Sequence, residues 1–149
     1  MVEFLEIGYD KFIFKVKVDY LYSREGFWAH IDKNTARIGL TDFLQKSKGD
    51  VAFLETVNPG TVVKQGQEIG KIETIKSVFD IISVVTGRIV EVNPEVENKS
   101  YLINEDPYGS GWIYRVELTD LESDKAGLLG AEDYVELIKE VVAQEMKKK

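Results

Sequence analysis

The segment Glu73-Thr74-Ile75-Lys76-Ser77-Val78-Phe79-Asp80 places a lysine in a short link between two apolar, β-prone runs. The run before it is Val62-Val63 followed by residues 66–72; the run after it is 78–82, continuing to Val84-Val85. Two strands joined by a tight turn put Lys76 at the tip, in water. A lysine at a turn is commonly just a solvated side chain. This one stands in a frame, with Glu73 three residues before it, Gly60 sixteen before and Gly87 eleven after.

The rest of the chain bounds what that hairpin can serve. Its 149 residues suit a single domain, 1–149, with a real core. A hydrophobic content of 44% and a charged content of 30% are those of a soluble globular chain. The net charge of −7 argues against a nucleic-acid binder, which needs a basic face. Lys147-Lys148-Lys149 reads as a solvated tail. With no cysteine, disulfides, thiolate metal sites and cysteine nucleophiles are excluded. Residues 1–6 carry acids and no apolar leader, and no apolar run reaches membrane-spanning length. The expectation is an unanchored cytoplasmic protein.

In chain order, Phe12 to Val18 reads as a half-buried strand, 27–31 and 35–40 as a hairpin with its turn at Asp32-Lys33-Asn34. Thr41 can cap a short helix over 42–48, with an acid in its first turn, lysines in its last, and Gly49 to end it. A strand over 50–57 stops at Asn58-Pro59-Gly60. Gly60-Thr61-Val62-Val63 is then echoed by Gly87-Arg88-Ile89-Val90, with Lys76 between the copies. Short strands punctuated by Gly and Pro predict a β-sandwich or barrel. Residues 93–100 and 104–111 read as polar loops, the second feeding a strand over 112–118. From Ala131, Tyr134, Leu137, Ile138, Val141 and Val142 fall on one helical face, predicting a C-terminal helix docked on the sandwich.

Self-contained catalytic chemistry is hard to find. The one histidine, His30, lies among apolar residues and reads as structural. No Gly-x-Ser-x-Gly elbow, Walker loop or Gly-x-Gly-x-x-Gly is present. Gly109-Ser110-Gly111 precedes a strand, so it cannot aim a helix N-terminus at phosphate. These features favour a carrier or binding module, not an enzyme.

Three blocks of residues add a resemblance. They are 38–42 with Gly49-Asp50-Val51; Glu73-Thr74-Ile75-Lys76 with Asp80 and 87–93; and Leu102 to Trp112. Together they resemble the H protein of the glycine cleavage system, a lipoyl carrier family, over roughly residues 20–142. The third block separates this family from the lipoyl domains of 2-oxoacid dehydrogenases. Biotinyl carriers usually have methionines beside the lysine, and here the neighbours are Ile75 and Ser77.

The resemblance implies a mostly β fold, the lipoyl-type β-sandwich (barrel-sandwich hybrid), with a short helix after Thr41 and a C-terminal helix. It implies lipoic acid bound covalently to Lys76, with Glu73 helping a lipoate ligase or lipoyl transferase recognise the hairpin, and Asp80 near the arm. Amide formation would remove the lysine cation and take the net charge from −7 to −8. The implied partners are glycine decarboxylase (P protein), aminomethyltransferase (T protein) and dihydrolipoamide dehydrogenase (L protein). The arm would shuttle the aminomethyl group of glycine among them, with no catalytic site in the carrier itself.

Some residues depart from the family pattern. Gly26-Phe27 stands where the family usually has His-Glu, Phe43 where it often has histidine or tyrosine, Ser77-Val78-Phe79 where small residues usually follow the lysine, and Val84 where a proline is typical. The changes make the arm's neighbourhood bulkier or less polar. They leave open an H-protein-like lipoate-binding protein serving heterodisulfide-reductase-like sulfur oxidation, with a sulfur load on the same arm. An unmodified β-sandwich that binds a protein partner is a further alternative.

Overall fold

The computed structural model describes residues 3–147; the lysine tail expected at 147–149 lies outside them apart from the backbone of Lys147. The chain opens with an antiparallel hairpin, β1 (Phe4–Tyr9) and β2 (Phe12–Lys17), paired from Phe4↔Lys17 to Tyr9↔Phe12. β3 (Leu21–Tyr22), β4 (Phe27–Asp32) and β5 (Thr35–Leu40) follow, then helix α1 (Asp42–Lys48). The cap of α1 is the expected one: Thr41 Oγ1 accepts from Leu44 N at 3.1 Å, and Gly49 closes the other end at φ +92°.

Next come β6 (Val51–Thr56), β7 (Val62–Val63), β8 (Glu68–Thr74), β9 (Val78–Ile82) and β10 (Gly87–Val92). The stretch expected as loop at 93–100 contains a short helix, α2 (Pro94–Asn98). Its start is built from two strong signals: Asn93 Oδ1 accepts from Glu95 N at 3.0 Å, and Pro94 takes the first helical position, where a missing N–H costs nothing. Similarly α3 (Leu102–Glu105) occupies the start of the second predicted loop. The chain finishes with β11 (Tyr114–Leu118), α4 (Leu121–Lys125) and α5 (Ala131–Lys147).

The two larger sheets run β3-β4-β5-β11-β10-β7 and β6-β8-β9. Between them lies an aliphatic core of Ile38, Ile69, Ile72, Ile81, Ile89, Val116 and neighbours. The sequence echo has a spatial meaning, since its copies pair antiparallel as Gly87↔Val63 and Arg88↔Val62. Gly87 cannot be replaced there: a Cβ would stand 1.9 Å from Glu117 O.

The large sheet is covered on both faces at its β3–β4 end. Phe27 and Ala29 of β4 enter the aliphatic core, while Trp28, one residue out of phase, enters a second cluster on the opposite side with Tyr22. That second cluster is where the N-terminal hairpin and α5 sit: Phe14 and Val16 of β2, and Tyr134 and Ile138 of α5, are buried in it. The C-terminal helix is docked as expected, but against β1, β2 and β3 and not against the sandwich interior. Its anchors are Tyr134 and Ile138; Leu137 is half-buried and Val141 is 39% exposed. Among the described residues no helix is long and apolar enough to cross a membrane.

Candidate functional site

Lys76 stands in the three-residue link between β8 and β9, exposed as its sequence frame predicts. What fixes the link is Thr74, the last residue of β8, whose side chain is buried. Its hydroxyl oxygen accepts from Ser77 N at 3.0 Å and Lys76 N at 3.2 Å. The same hydroxyl donates to Lys48 O at 2.7 Å, and Thr74 N donates to Ser77 O at 2.8 Å. Ile75 N donates to Asp50 O at 3.2 Å, tying the tip to the residue that starts β6. The backbone of the tip is therefore pinned on three sides while the Lys76 side chain is left outside. A buried donor-acceptor that satisfies several backbone groups is costly to remove.

Gly49 completes the platform. A Cβ on it would lie 2.9 Å from Lys76 Cε, so the lysine stem passes over the glycine backbone. The positive φ of Gly49 adds a second reason for glycine at this position. Asn104, from the third resemblance block, holds this glycine in place: its Nδ2 donates to Gly49 O at 3.1 Å and to Gln45 Oε1 at 3.0 Å, and its Oδ1 accepts from Val51 N at 2.9 Å. Sequence reasoning singled out Lys76 but gave no role to Thr74 or to Asn104's bonds. A threonine two residues before a turn lysine was the available signal.

Glu73 is exposed on the outer face of β8, with Phe53 and Val78 as its cross-strand neighbours. Together with Ile75 these two make an exposed apolar collar around the tip, 61–76% accessible. Asp80 lies two rungs further from the tip, paired with Lys71. Lys71 Nζ reaches Asp80 Oδ1 at 2.7 Å and Glu68 Oε1 at 3.1 Å. The Lys71 hydrogen bond holds the Asp80 carboxyl below the usual carboxylate range, and the Asp80 and Glu68 bonds raise Lys71. Asp80 is thus engaged along its own hairpin.

A groove of about 540 Å³ runs from Lys76 along α1 to the end of α5. Phe43 and Leu44 of α1, Phe12 and Phe14 of β2, and Val141 and Val142 of α5 line it. Phe12 and Phe14 stack with centroids 5.8 Å apart, and Phe14 meets Phe43 edge-on at 4.9 Å. Of the other residues that break the family pattern, Phe27 is buried in the aliphatic core, and Phe79 packs against that core with Lys48 Nζ 5.2 Å above its ring. Only Phe43 of these three faces the groove.

His30 stacks on Tyr20 at 4.6 Å, and burial, with Arg37 close by, holds its pKa below the ordinary histidine value. Among the described residues no cluster of three or more His, Asp or Glu side chains could hold a metal ion.

The family model described as glycine cleavage H-protein matches residues 18–141. The glycine cleavage system H protein of Carboxydothermus hydrogenoformans is 43% identical over 125 residues, covering 84% of this chain and 95% of that protein. A probable glycine cleavage system H protein of Pyrococcus abyssi is 37% identical over 127 residues, covering 85% and 94%. The crystal structure of the H protein from Mycobacterium marinum superposes with a TM-score of 0.74 at 31% identity, covering 80% of this chain and 95% of that one. With a matched family span that takes in both large sheets and the Lys76 hairpin, the chain belongs to the glycine cleavage H-protein family.

Proposed function

We propose that the protein carries lipoic acid in amide linkage on Lys76 and is the lipoyl carrier of glycine cleavage. In this role it receives the aminomethyl group of glycine at the P protein and delivers it at the T protein, and the L protein returns the carrier to its starting state. The observation that carries the reading is the pinned, outward-facing Lys76 in a chain of this family. When bound, the group supplies a strained cyclic disulfide that opens to nucleophiles.

The chain's own residues supply placement. Thr74 holds the shape of the turn that a lipoate ligase or lipoyl transferase would meet, and Gly49 leaves a lane for the lysine stem. Glu73 and the collar of Phe53, Ile75 and Val78 give that enzyme a charged mark on an apolar surface. A free lysine is cationic at neutral pH, with a pKa near ~10.4. Its acylation leaves the tip less charged and more apolar.

The test is intact mass after expression with lipoate and a lipoate ligase. The mass rises by one lipoyl group in the native chain and does not rise in Lys76→Arg. Modification that persists in the variant would place the arm elsewhere.

A second reading has an observation behind it. Phe43 lines the groove and Asp80 is already paired with Lys71, so neither offers a cationic load a free carboxylate. A sulfur load in heterodisulfide-reductase-like oxidation needs no such partner. Exchange of labelled bicarbonate into glycine by lipoylated protein with its P protein decides between the two. Robust exchange supports glycine cleavage, and none with a competent P protein supports the sulfur load.

A further inference from the structure

The hairpin β1–β2, residues 4–17, precedes the first residue that the family model matches, yet a path of hydrogen bonds joins it to the Lys76 turn. The path begins at Lys15 in β2. Lys15 N donates to Asp42 Oδ2 at 2.9 Å, and Lys15 O accepts from Tyr108 Oη at 2.7 Å. The same Tyr108 oxygen accepts from Asp42 N at 3.2 Å. Lys46 adds a second tie, its Nζ donating to Ile13 O at 2.7 Å and to Asp42 Oδ2 at 3.0 Å. The edge of β2 that does not pair with β1 is thus seated on the first residue of α1.

Asp42 passes that seat on. Its Oδ1 accepts from Gln45 Nε2 at 2.8 Å, and Gln45 Oε1 accepts from Asn104 Nδ2 at 3.0 Å. Asn104 holds Gly49 O and Val51 N, and so frames Asp50, whose carbonyl takes the Ile75 N–H. Asp42 and Gln45 are each 6% exposed. Among the described residues no buried side-chain nitrogen or oxygen lacks a partner, so removing one member of the path orphans the next. The shortness of α1 makes the path possible. Asp42 and Gln45, three residues apart, share a face of the helix, and Lys48 at its end accepts from Thr74 Oγ1 at 2.7 Å. The helix is clamped to the hairpin at its first turn and to the lysine turn at its last.

We propose that Asp42 and Gln45 are positioning residues for Lys76, and that the N-terminal hairpin steadies the lysine turn through them. The role rests on lipoylation of Lys76 as proposed above. Both residues act on the reacting amine through Asn104 and Gly49. A turn that is ordered beforehand costs the lipoylating enzyme less to bind. A loosened turn must be ordered in the complex, so the loss falls on KM for the carrier more than on kcat.

The test uses the full chain, unmodified, as the substrate of a lipoate ligase. The readouts are kcat and KM for the carrier, hydrogen exchange at the Ile75, Lys76 and Ser77 amides, and the melting temperature. Gln45→Met is similar in size and makes neither bond. It should raise KM several-fold with kcat little changed, and speed exchange at the three amides. Gln45→Glu keeps the acceptor that Asn104 uses and loses the donor to Asp42. Asp42→Ala removes the hairpin's seat and leaves the Gln45–Asn104 bond. These two should give the same pattern with a smaller fold-change. Ile89→Val, which takes one methylene from the aliphatic core, should lower the melting temperature and leave KM and the three amides native. Lower melting temperatures in both Gln45 variants, with native KM and native exchange at the turn, would make the path structural only and overturn the proposal. A response to Gln45→Met but to neither Gln45→Glu nor Asp42→Ala would overturn the hairpin's part in it. In both cases the carrier assignment stands. If the ligase modifies a control lipoyl carrier but leaves the native chain's mass unchanged, the carrier assignment falls, and the positioning role with it.

Discussion

The protein has two hydrophobic centres of different kinds. The one between the sheets is aliphatic, built on isoleucine and valine, with Tyr114 as its one buried hydroxyl, bonded to Ile69 O at 2.6 Å. The one beneath the N-terminal hairpin and α5 is aromatic: Phe14, Tyr20, Tyr22, Trp28, Tyr108 and Tyr134, with Val16 and Ile138. There every tyrosine hydroxyl has a named partner. Tyr22 donates to Lys17 O, Tyr20 to Tyr108 O at 3.2 Å, Tyr108 to Lys15 O at 2.7 Å, and Tyr134 shares a bond of 2.8 Å with Thr41. Trp28 Nε1 donates to Pro107 O at 3.0 Å. Aliphatic packing is non-directional and suits sheets whose registers are already set by backbone pairing. A hairpin and a helix added to the outside have no ladder to align them, and directional bonds from buried rings supply the alignment.

The largest effect that separates the two centres is alkaline pH. Burial pushes the Tyr134 hydroxyl up to about 12, and it raises Tyr22, Tyr108 and Tyr20 as well. For an acid raised on folding, the unfolded chain releases its proton first. Stability is then fully present below pH ~10 and falls as pH rises toward the folded value. At ~1.4 kcal/mol per pH unit, a buried tyrosine raised as far as Tyr134 costs up to about 3 kcal/mol by pH 12. In the aliphatic centre only Tyr114, pushed up to about 12, contributes in this way. Amide signals followed from pH 9 to 12 should therefore fade first over residues 4–17 and 131–147. Simultaneous loss in both sheets would show that the centres do not melt separately.

The aliphatic centre was the legible one. Strand alternation and Gly or Pro punctuation locate β4, β5, α1, β6 and the Lys76 hairpin, because each is specified by local pattern. β1 was not read, because Phe4–Tyr9 becomes a strand only through pairing with β2. α2 and α4, each five residues long, fell below any periodicity, although Asn93-Pro94 carried a start signal. The face of α5 was read correctly, but not where its packing stops, because the hairpin beneath it was unknown. At the site, Lys76 was visible in its frame. The groove was not, because its walls come from residues 9–14, 43–48 and 141–145, which no local window joins.

A smaller and more local break is Ile138→Ala. Ile138 is 1% exposed, and truncating it should cost about 2–5 kcal/mol. The matching change in the aliphatic centre is Ile72→Ala, at 0% exposure. Denaturant titration should give similar losses for both. Hydrogen exchange should distinguish them: Ile138→Ala speeds exchange in α5, β1 and β2, whereas Ile72→Ala speeds it throughout the sheets. Identical exchange maps would mean one cooperative unit.

The smallest expected effect sharpens the comparison most. Tyr134→Phe keeps the ring and its stack on Tyr22, whose centroids are 4.7 Å apart with planes 4° from parallel, and removes only the oxygen. The Thr41 hydroxyl, which still accepts from Leu44 N, loses its second partner. A hydrogen bond of this kind contributes about 0.5–1.5 kcal/mol. If directional bonds align the outer layer, this small loss should be accompanied by shifted amide signals along α5 and around Phe43, where the helix end and α1 share the groove. A melting temperature lowered slightly with no shift at Phe43 would leave ring packing alone as the aligning force. In that case α5 would be placed by shape, as the sheets are.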